Sequence, residues 1–307
     1  MGDKPGHFGI LAAVNVSESA DFPRRIAIIG LGLLGGSVAL AARRFANRHH
    51  LPLELSAYAR RAETRQRARD SAMVELATDQ IEIAVRDSDL VVIASPVDFI
   101  GPLACTVGDL NADASITDVG STKSGIVQFV RPQKHVASRF LAAHPIAGGE
   151  KSGAEFARED LFDGKPIVLT PSGIEQPDHA RRIENFWKSL GGSLISMSPE
   201  NHDSQLARTS HLPHLLAALA ARGVTPATLP MVGAGWMDTT RIAAGNPDMW
   251  TAIVAENRDA ILEAMIAAAG DWELLIDAVR DCKDVDVTRW LVDAAEIRQS
   301  ADDVAGR

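Results

Sequence analysis

The sequence predicts an α/β fold, a doubly wound parallel sheet followed by an all-helical C-terminal domain. From Arg25 to about Pro199, short β-rich runs alternate with helical stretches. After Pro199 the strand signals stop and Ala- and Leu-rich helical spacing takes over. The length, 307 residues, suits two cores rather than one. These observations divide the chain into a loose extension at 1–23, a sheet domain at 24–198 and a helical domain at 199–307.

The strand candidates, in order, are Ile26–Gly30, Leu53–Tyr58, Leu90–Ser95, Ser115–Val119, Phe140–Ala143, Pro166–Thr170 and Ser193–Met197. Between them Gly35–Asn47, Glu63–Ser71 and Asp178–Leu190 have helical composition. Strands that alternate with helices pair in parallel, and ligands then sit at the strands' carboxyl ends. Ser198 reads as a helix N-cap with Pro199 in the first helical position. Helices follow at His202–Arg222, Met249–Ala269 and Asp271–Arg280, and the tail QSADDVAGR reads as frayed. The alanine-rich helices suit packing within the domain and equally packing against a second copy, so a homodimer through this domain is expected.

Composition excludes several function classes. The net charge of −9 argues against nucleic acid as a partner. No uninterrupted apolar run approaches the ~20 residues that span a bilayer, and the N-terminus lacks the basic and apolar order of a signal peptide. Cys105 and Cys282 stand far apart, with no CxxC and no Cys/His cluster. That pattern gives no disulfide framework and no metal site, and fits a reducing, cytoplasmic setting. An acidic protein that binds an anionic small molecule must gather positive charge locally.

The first strand runs into Gly30-Leu-Gly32-Leu-Leu-Gly35-Gly36-Ser37, a GxGxxG spacing between an apolar strand and a helix. This is the context of a Rossmann dinucleotide site: Gly30 for the tight turn, Gly32 for close approach of the pyrophosphate, Gly35 for helix–strand packing. Leu33 and Leu34 in the turn, with Ser95 and Pro96 after a later strand, join the cofactor set. An NAD site also needs a carboxylate at the end of the second strand. Here that strand ends Tyr58-Ala59-Arg60-Arg61, while Glu54 lies at its wrong end and Glu63 in the next helix. Two guanidinium groups suit a 2′-phosphate, so NADP is expected over NAD. The alternative is that Arg60 and Arg61 are solvated residues at a helix start.

Three further segments stand out: DVGSTKS from Asp118, HPIAGGEKSG from His144, and SHLPH from Ser210 with DTTRIAAGNPDMW after it. With GLGLLGGS and LFDGKPIVLTP they stand in order from about residue 25 to 280. Over that span the chain resembles the prephenate/arogenate (cyclohexadienyl) dehydrogenase family. The resemblance implies oxidative decarboxylation of prephenate or arogenate in tyrosine biosynthesis, with hydride passing from ring C4 to the nicotinamide. The 4-hydroxyl loses its proton and the ring carboxylate departs as carbon dioxide. No metal is needed.

By resemblance His144, placed after a strand, is the general base, or at least the acceptor that polarises the 4-hydroxyl as hydride leaves, and a neutral imidazole suits that task near neutral pH. Ser121 would orient the substrate hydroxyl or His144, contact the cofactor, or cap a helix. Arg241 would hold a substrate carboxylate and His214 would add a second contact or sit as a capped core histidine, whereas His211 reads as structural. Glu150 and Asp238 would shape or gate the pocket. Trp250 would wall it or pack in the core, and Lys151 would add positive charge or lie on the surface.

Two rival readings make different demands on the chain. A β-hydroxyacid dehydrogenase needs a catalytic lysine in its helical part, but the only lysine after residue 199 is Lys283, in an acidic DCKDVD context. An inactive NADP-binding sensor would have little use for Ser121, His144, His214 and Arg241 together. Prephenate is favoured as substrate, with arogenate a second; Asp248 or Glu150 could read the amino group that distinguishes them.

Overall fold

The computed structural model describes residues 21–149 and 153–305. The apolar run Arg25–Ile29 forms β1, and the glycine turn after it opens α1 at Leu33–His49. Then come β2 (Glu54–Tyr58), α2 (Ala62–Asp70), β3 (Leu76–Thr78), α3 (Ile81–Ala84), β4 (Leu90–Ile93) and α4 (Val97–Leu110). The half closes with β5 (Ser115–Asp118), α5 (Ser124–Val130) and α6 (Lys134–Ala137). These strands make a parallel sheet in the order β3-β2-β1-β4-β5. The order reverses between β1 and β4, so the ligand crevice falls outside their carboxyl ends. Ile26–Ile29 and all of β4 are buried, as expected where helices cover both faces.

A second, three-stranded sheet follows: β6 (Ala142–Pro145), β7 (Pro166–Thr170) and, after α7 (Pro177–Ser189), β8 (Ser193–Ser196). This corrects the expected run of parallel strands, because β6 pairs antiparallel with β7, and only β7–β8 is parallel. It also corrects the strand at Phe140–Ala143. Phe140 makes only an isolated bridge to Ile116, and the strand proper starts two residues later. The cause is local. The Asp118 carboxylate takes the Ala143 N–H at 3.0 Å, which steers the chain towards β7. His144 therefore lies within β6, opposite Val168, and not after a strand. Pro145, with no N–H to give, is tolerated at the end of this outer strand. The short β3 has no counterpart among the expected strands because three residues show no alternation.

The helical part begins as expected. Ser198 Oγ accepts from Asn201 N at 3.1 Å and Pro199 opens α8 (Pro199–Leu206). A π-helical turn over Ala207–His211 then leads into α9 (Leu212–Arg222). A regular α-turn would press the Pro213 ring on the Thr209 carbonyl, and the wider π turn relieves this. After it come α10 (Ala234–Thr240), a 3₁₀ turn at Arg241–Ala244, α11 (Pro247–Glu256), α12 (Arg258–Arg280) and α13 (Asp284–Ala305). Helix α13 continues through Gln299–Ala305, where a frayed tail was expected. The chain divides into two compact units, 1–258 and 259–307, so α8–α11 group with the sheets. Ile253 of α11, for example, packs in the core cluster that holds Ile100 of α4 and Ile126 of α5. No helix among the described residues is long and apolar enough to cross a membrane. Most of the extension at 1–23, together with Glu150 and Lys151, lies outside the described residues.

Candidate active site

The carboxyl ends of β1, β4 and β5 lie side by side. At the first, Gly30 has φ +105°, and a Cβ there would sit 2.4 Å from the Ala94 carbonyl oxygen. A Cβ on Gly35 would fall 2.0 Å from the carbonyl of Gly30, so both positions demand glycine. Gly32 differs, since nothing lies within 4 Å of an added Cβ. It is the N-cap of α1 and brings no capping side chain, so the first-turn amides that Leu33 and Leu34 lead off are left for an external acceptor. An open, unshielded helix N-terminus of this kind fits a pyrophosphate. Ser95 Oγ donates to the Ile29 carbonyl at 3.2 Å, and Pro96 is the N-cap residue of α4.

The glycine turn is tied to the end of β2, where Gly30 N donates to the Tyr58 carbonyl at 2.9 Å. Beyond Tyr58, Ala59 is buried and Arg60 and Arg61 are exposed. Arg65 organises this corner. One guanidinium nitrogen donates to the carbonyls of Ala59 and Arg60 at 2.8 and 2.7 Å, and another pairs with Asp79 at 2.9 Å. This corner therefore presents two exposed arginines, with Asp79, the carboxylate following β3, already engaged.

Past β5 the loop closes on a buried ion pair. Lys123 Nζ donates to the Asp118 carboxylate, and at 2.8 Å to the carbonyl of Ala143. Asp118 also accepts Gly120 N at 2.8 Å and Ala143 N at 3.0 Å. The lysine thus pins the loop bearing Ser121 against β6, one residue before His144. Ser121 is half-buried and is not a helix cap, since α5 begins at Ser124 with Lys123 in the capping position. Burial pushes the Lys123 ammonium down, against the pull of Asp118.

His144 Nδ1 lies 2.8 Å from His202 Nε2, and His202 Nδ1 lies 2.7 Å from Asp203 Oδ1. Asp203 also accepts the backbone N–H groups of Lys123 and Ser124, each at 2.8 Å. Burial holds the His144 imidazole well below its ordinary 6.5, helped by His202, Lys123 and His211. His144 is thus a neutral ring, and any bond to Ser121 is left to its Nε2. Asn257 closes the back of the cluster, donating to the Asp203 carbonyl at 2.8 Å with His211 Nδ1 at 3.2 Å. His211 Nε2 has no partner among the described residues.

His214 is buried and stacked on Trp250, with ring centroids 3.5 Å apart and an interplanar angle of 12°. Gly245 makes room for the stack, since a Cβ there would stand 2.7 Å from Trp250 Nε1 and 3.2 Å from His214 Cε1. Arg241 opens the 3₁₀ turn and is exposed, as is Asp238 in α10. Asp248 is exposed at the start of α11. The fold thus brings together His144, the Ser121 loop and, within the same unit, His214 with Trp250. It adds His202, Asp203, Lys123 and Asp118, to which the sequence alone assigns no role. Lys123 and Asp118 sit inside the DVGSTKS segment, but no spacing rule marks the ENHD stretch that holds His202.

Two family models cover most of the chain: one described as prephenate dehydrogenase, nucleotide-binding domain, over residues 41–196, and one as its dimerization domain over 198–292. A cyclohexadienyl dehydrogenase of Zymomonas mobilis is 33% identical over 83% of this chain and 88% of its own length. The structure of Aquifex aeolicus prephenate dehydrogenase with hydroxyphenyl propionate and NAD+ superposes with a TM-score of 0.83 at 29% identity, covering 91% of this chain and 98% of that one. Synechocystis arogenate dehydrogenase superposes with a TM-score of 0.74 at 25% identity, covering 90% and 99%.

Proposed function

The chain belongs to the prephenate dehydrogenase family, and from that premise we propose that it oxidatively decarboxylates prephenate to 4-hydroxyphenylpyruvate in tyrosine biosynthesis, with NADP as hydride acceptor. Arogenate, which would give tyrosine, is the second substrate to test. The observation that carries the reading is His144, a half-buried imidazole whose cation is disfavoured by its surroundings, beside the loop at the carboxyl end of β5. That is one strand along from the β4 end and two from the glycine turn.

The nicotinamide, when bound, supplies the acceptor for the hydride that leaves C4. The chain's own residues manage one proton and hold the ring. His144 takes the 4-hydroxyl proton as the hydride leaves. Loss of carbon dioxide then makes the ring aromatic, and the balanced reaction releases no net proton. The proton on His144 must therefore return to the phenolic oxygen. Ser121 steadies that oxygen. Arg241 holds a substrate carboxylate with its planar fork, and His214, braced by Trp250, adds a contact from α9. Asp238 shapes or gates the pocket.

Steady-state rates with prephenate or arogenate, each with NADP or NAD, test the assignment. His144→Asn is expected to lower kcat by ~100-fold or more with KM little changed, and Arg241→Gln to raise KM. Wild-type rates in both variants would remove these residues from the reaction. For the cofactor, Gly30, Gly32, Leu33, Leu34 and Gly35 hold the pyrophosphate, with Ser95, Pro96 and Ser121 along the crevice, and Arg60 and Arg61 take the 2′-phosphate. Arg60→Ala should weaken NADP more than NAD. Equal affinity for both, unchanged by the substitution, would rule the preference out. The free thiols of Cys105 and Cys282 suit a cytoplasmic enzyme.

A further inference from the structure

We propose that His202, backed by Asp203, is a positioning residue that decides which nitrogen of His144 is the base and shares the proton it takes. The inference rests on the reading of His144 as base. Its starting point is Asp203, whose carboxylate accepts from Lys123 N and Ser124 N. An ionised carboxylate has no proton to give, so the 2.7 Å contact with His202 requires the hydrogen on His202 Nδ1. A neutral His202 then presents a bare Nε2. The 2.8 Å contact with His144 must in turn be made by a hydrogen on His144 Nδ1. That leaves the lone pair of His144 on Nε2, the nitrogen outside the chain of bonds. The two rings and the carboxylate thus select the tautomer that a base needs.

The same chain can move charge. When His144 Nε2 takes the hydroxyl proton, the proton on its Nδ1 can pass to His202 Nε2. His144 is then neutral again, protonated on Nε2, and the positive charge sits on His202 against the Asp203 carboxylate. The reverse shift frees the Nε2 proton to return to the phenolic oxygen, so no proton is gained or lost. This placement suits a crowded site. Lys123, paired with Asp118, presses on His144 from the β5 loop, and His211 from the π turn. Asp203 is the anion placed behind His202. A proton held on His202 beforehand would reverse the bond and put a hydrogen on His144 Nε2, closing the base.

Nitrogen-15 NMR of the histidine side chains in the full-length protein reads the tautomers at neutral pH, with His144→Asn and His202→Gln identifying the signals. The expected result is a hydrogen on Nδ1 of each ring and none on Nε2 of His144. A wild-type His144 that carries its hydrogen on Nε2 overturns the proposal before any kinetics. His202→Leu removes the acceptor, and kcat with prephenate should fall about 100-fold, the lower end of what acid–base groups contribute. KM and the Kd for NADP should stay unchanged, and the His144 signal should become a mixture of tautomers. His202→Gln offers an amide oxygen to the same hydrogen and should restore the Nδ1–H form with part of the rate. Full kcat in His202→Leu sinks the idea. If that variant does not fold, the glutamine variant and the wild-type spectrum still decide. An inactive His144→Asn beside a fully active His202→Leu defeats only the positioning role, whereas an active His144→Asn defeats the base itself.

Discussion

At the scale of single residues, burial sets the pH behaviour. His144 gains its proton well below the ordinary 6.5, because burial, His202, Lys123 and His211 all oppose the cation. In His202→Leu, where no second ring can take up the proton, the acid limb of kcat/KM should accordingly lie well below that value, and a limb at the unperturbed histidine pKa in that variant would contradict a base whose cation its surroundings oppose. The same shifts predict stability. Burial pushes His211 down to about 4, with help from His202 and His214, and lowers His179 and His214 too. An unfolded chain binds protons on these rings from about pH 6.5 downwards. The folded chain binds them only at lower pH, so the unfolded state holds more protons in between. This contribution to stability is complete above about pH 6.5 and is lost as pH falls towards about 4. Asp203 extends the loss at its lower end: burial raises its carboxyl, but hydrogen bonds from His202 and Ser124 outweigh that and lower it. Glu256, raised by burial, opposes the trend only over the carboxylate range. Thermal melts at steps from neutral pH to about 4.5 should show a falling Tm, and a flat series would mean these rings are solvated.

At the scale of elements, the β5 loop and β6 are built around Asp118. Its two oxygens serve Lys123, Gly120 N and Ala143 N, and both partners of the ion pair are fully buried. Asp118→Asn leaves the ammonium without its counter-charge and should cost about 3–5 kcal/mol, read as a loss in denaturant midpoint. Adding Lys123→Met removes the stranded charge and should recover part of the loss. A single variant as stable as wild type would show that the pair is dispensable. This corner also marks where legibility ends. The glycine turn is plain in the sequence because two of its positions admit only glycine, and Ser198-Pro199 is plain because a cap is a local bond. His144 is legible too, but its strand is displaced by two residues, since the side chain that diverts the backbone there is 25 residues away. His202 and Asp203 are silent for the same reason. Their partners come from β6 and the β5 loop, and nothing in ENHD reports them.

At the scale of the whole molecule, the remaining question is what the last two helices do. Within the unit from residue 259 onwards, α12 and α13 are joined by Trp290 Nε1 donating to Asp271 at 3.0 Å. Large apolar side chains stay exposed on both, among them Ile266 at 64%, Leu274 at 69% and Ile297 at 73%. Single exposed apolar residues are ordinary, but a run along two successive helices asks for a cover. We propose that a second copy supplies it, in keeping with the dimerization domain matched over 198–292. The C-terminal helices would then owe part of their stability to association, which makes Tm depend on protein concentration. Light scattering after size exclusion should give twice the chain mass. Ile266→Glu with Leu274→Glu should shift that towards the monomer and lower Tm, while helical content is kept. A wild-type chain that runs as a monomer at micromolar concentration would leave these faces to some other partner.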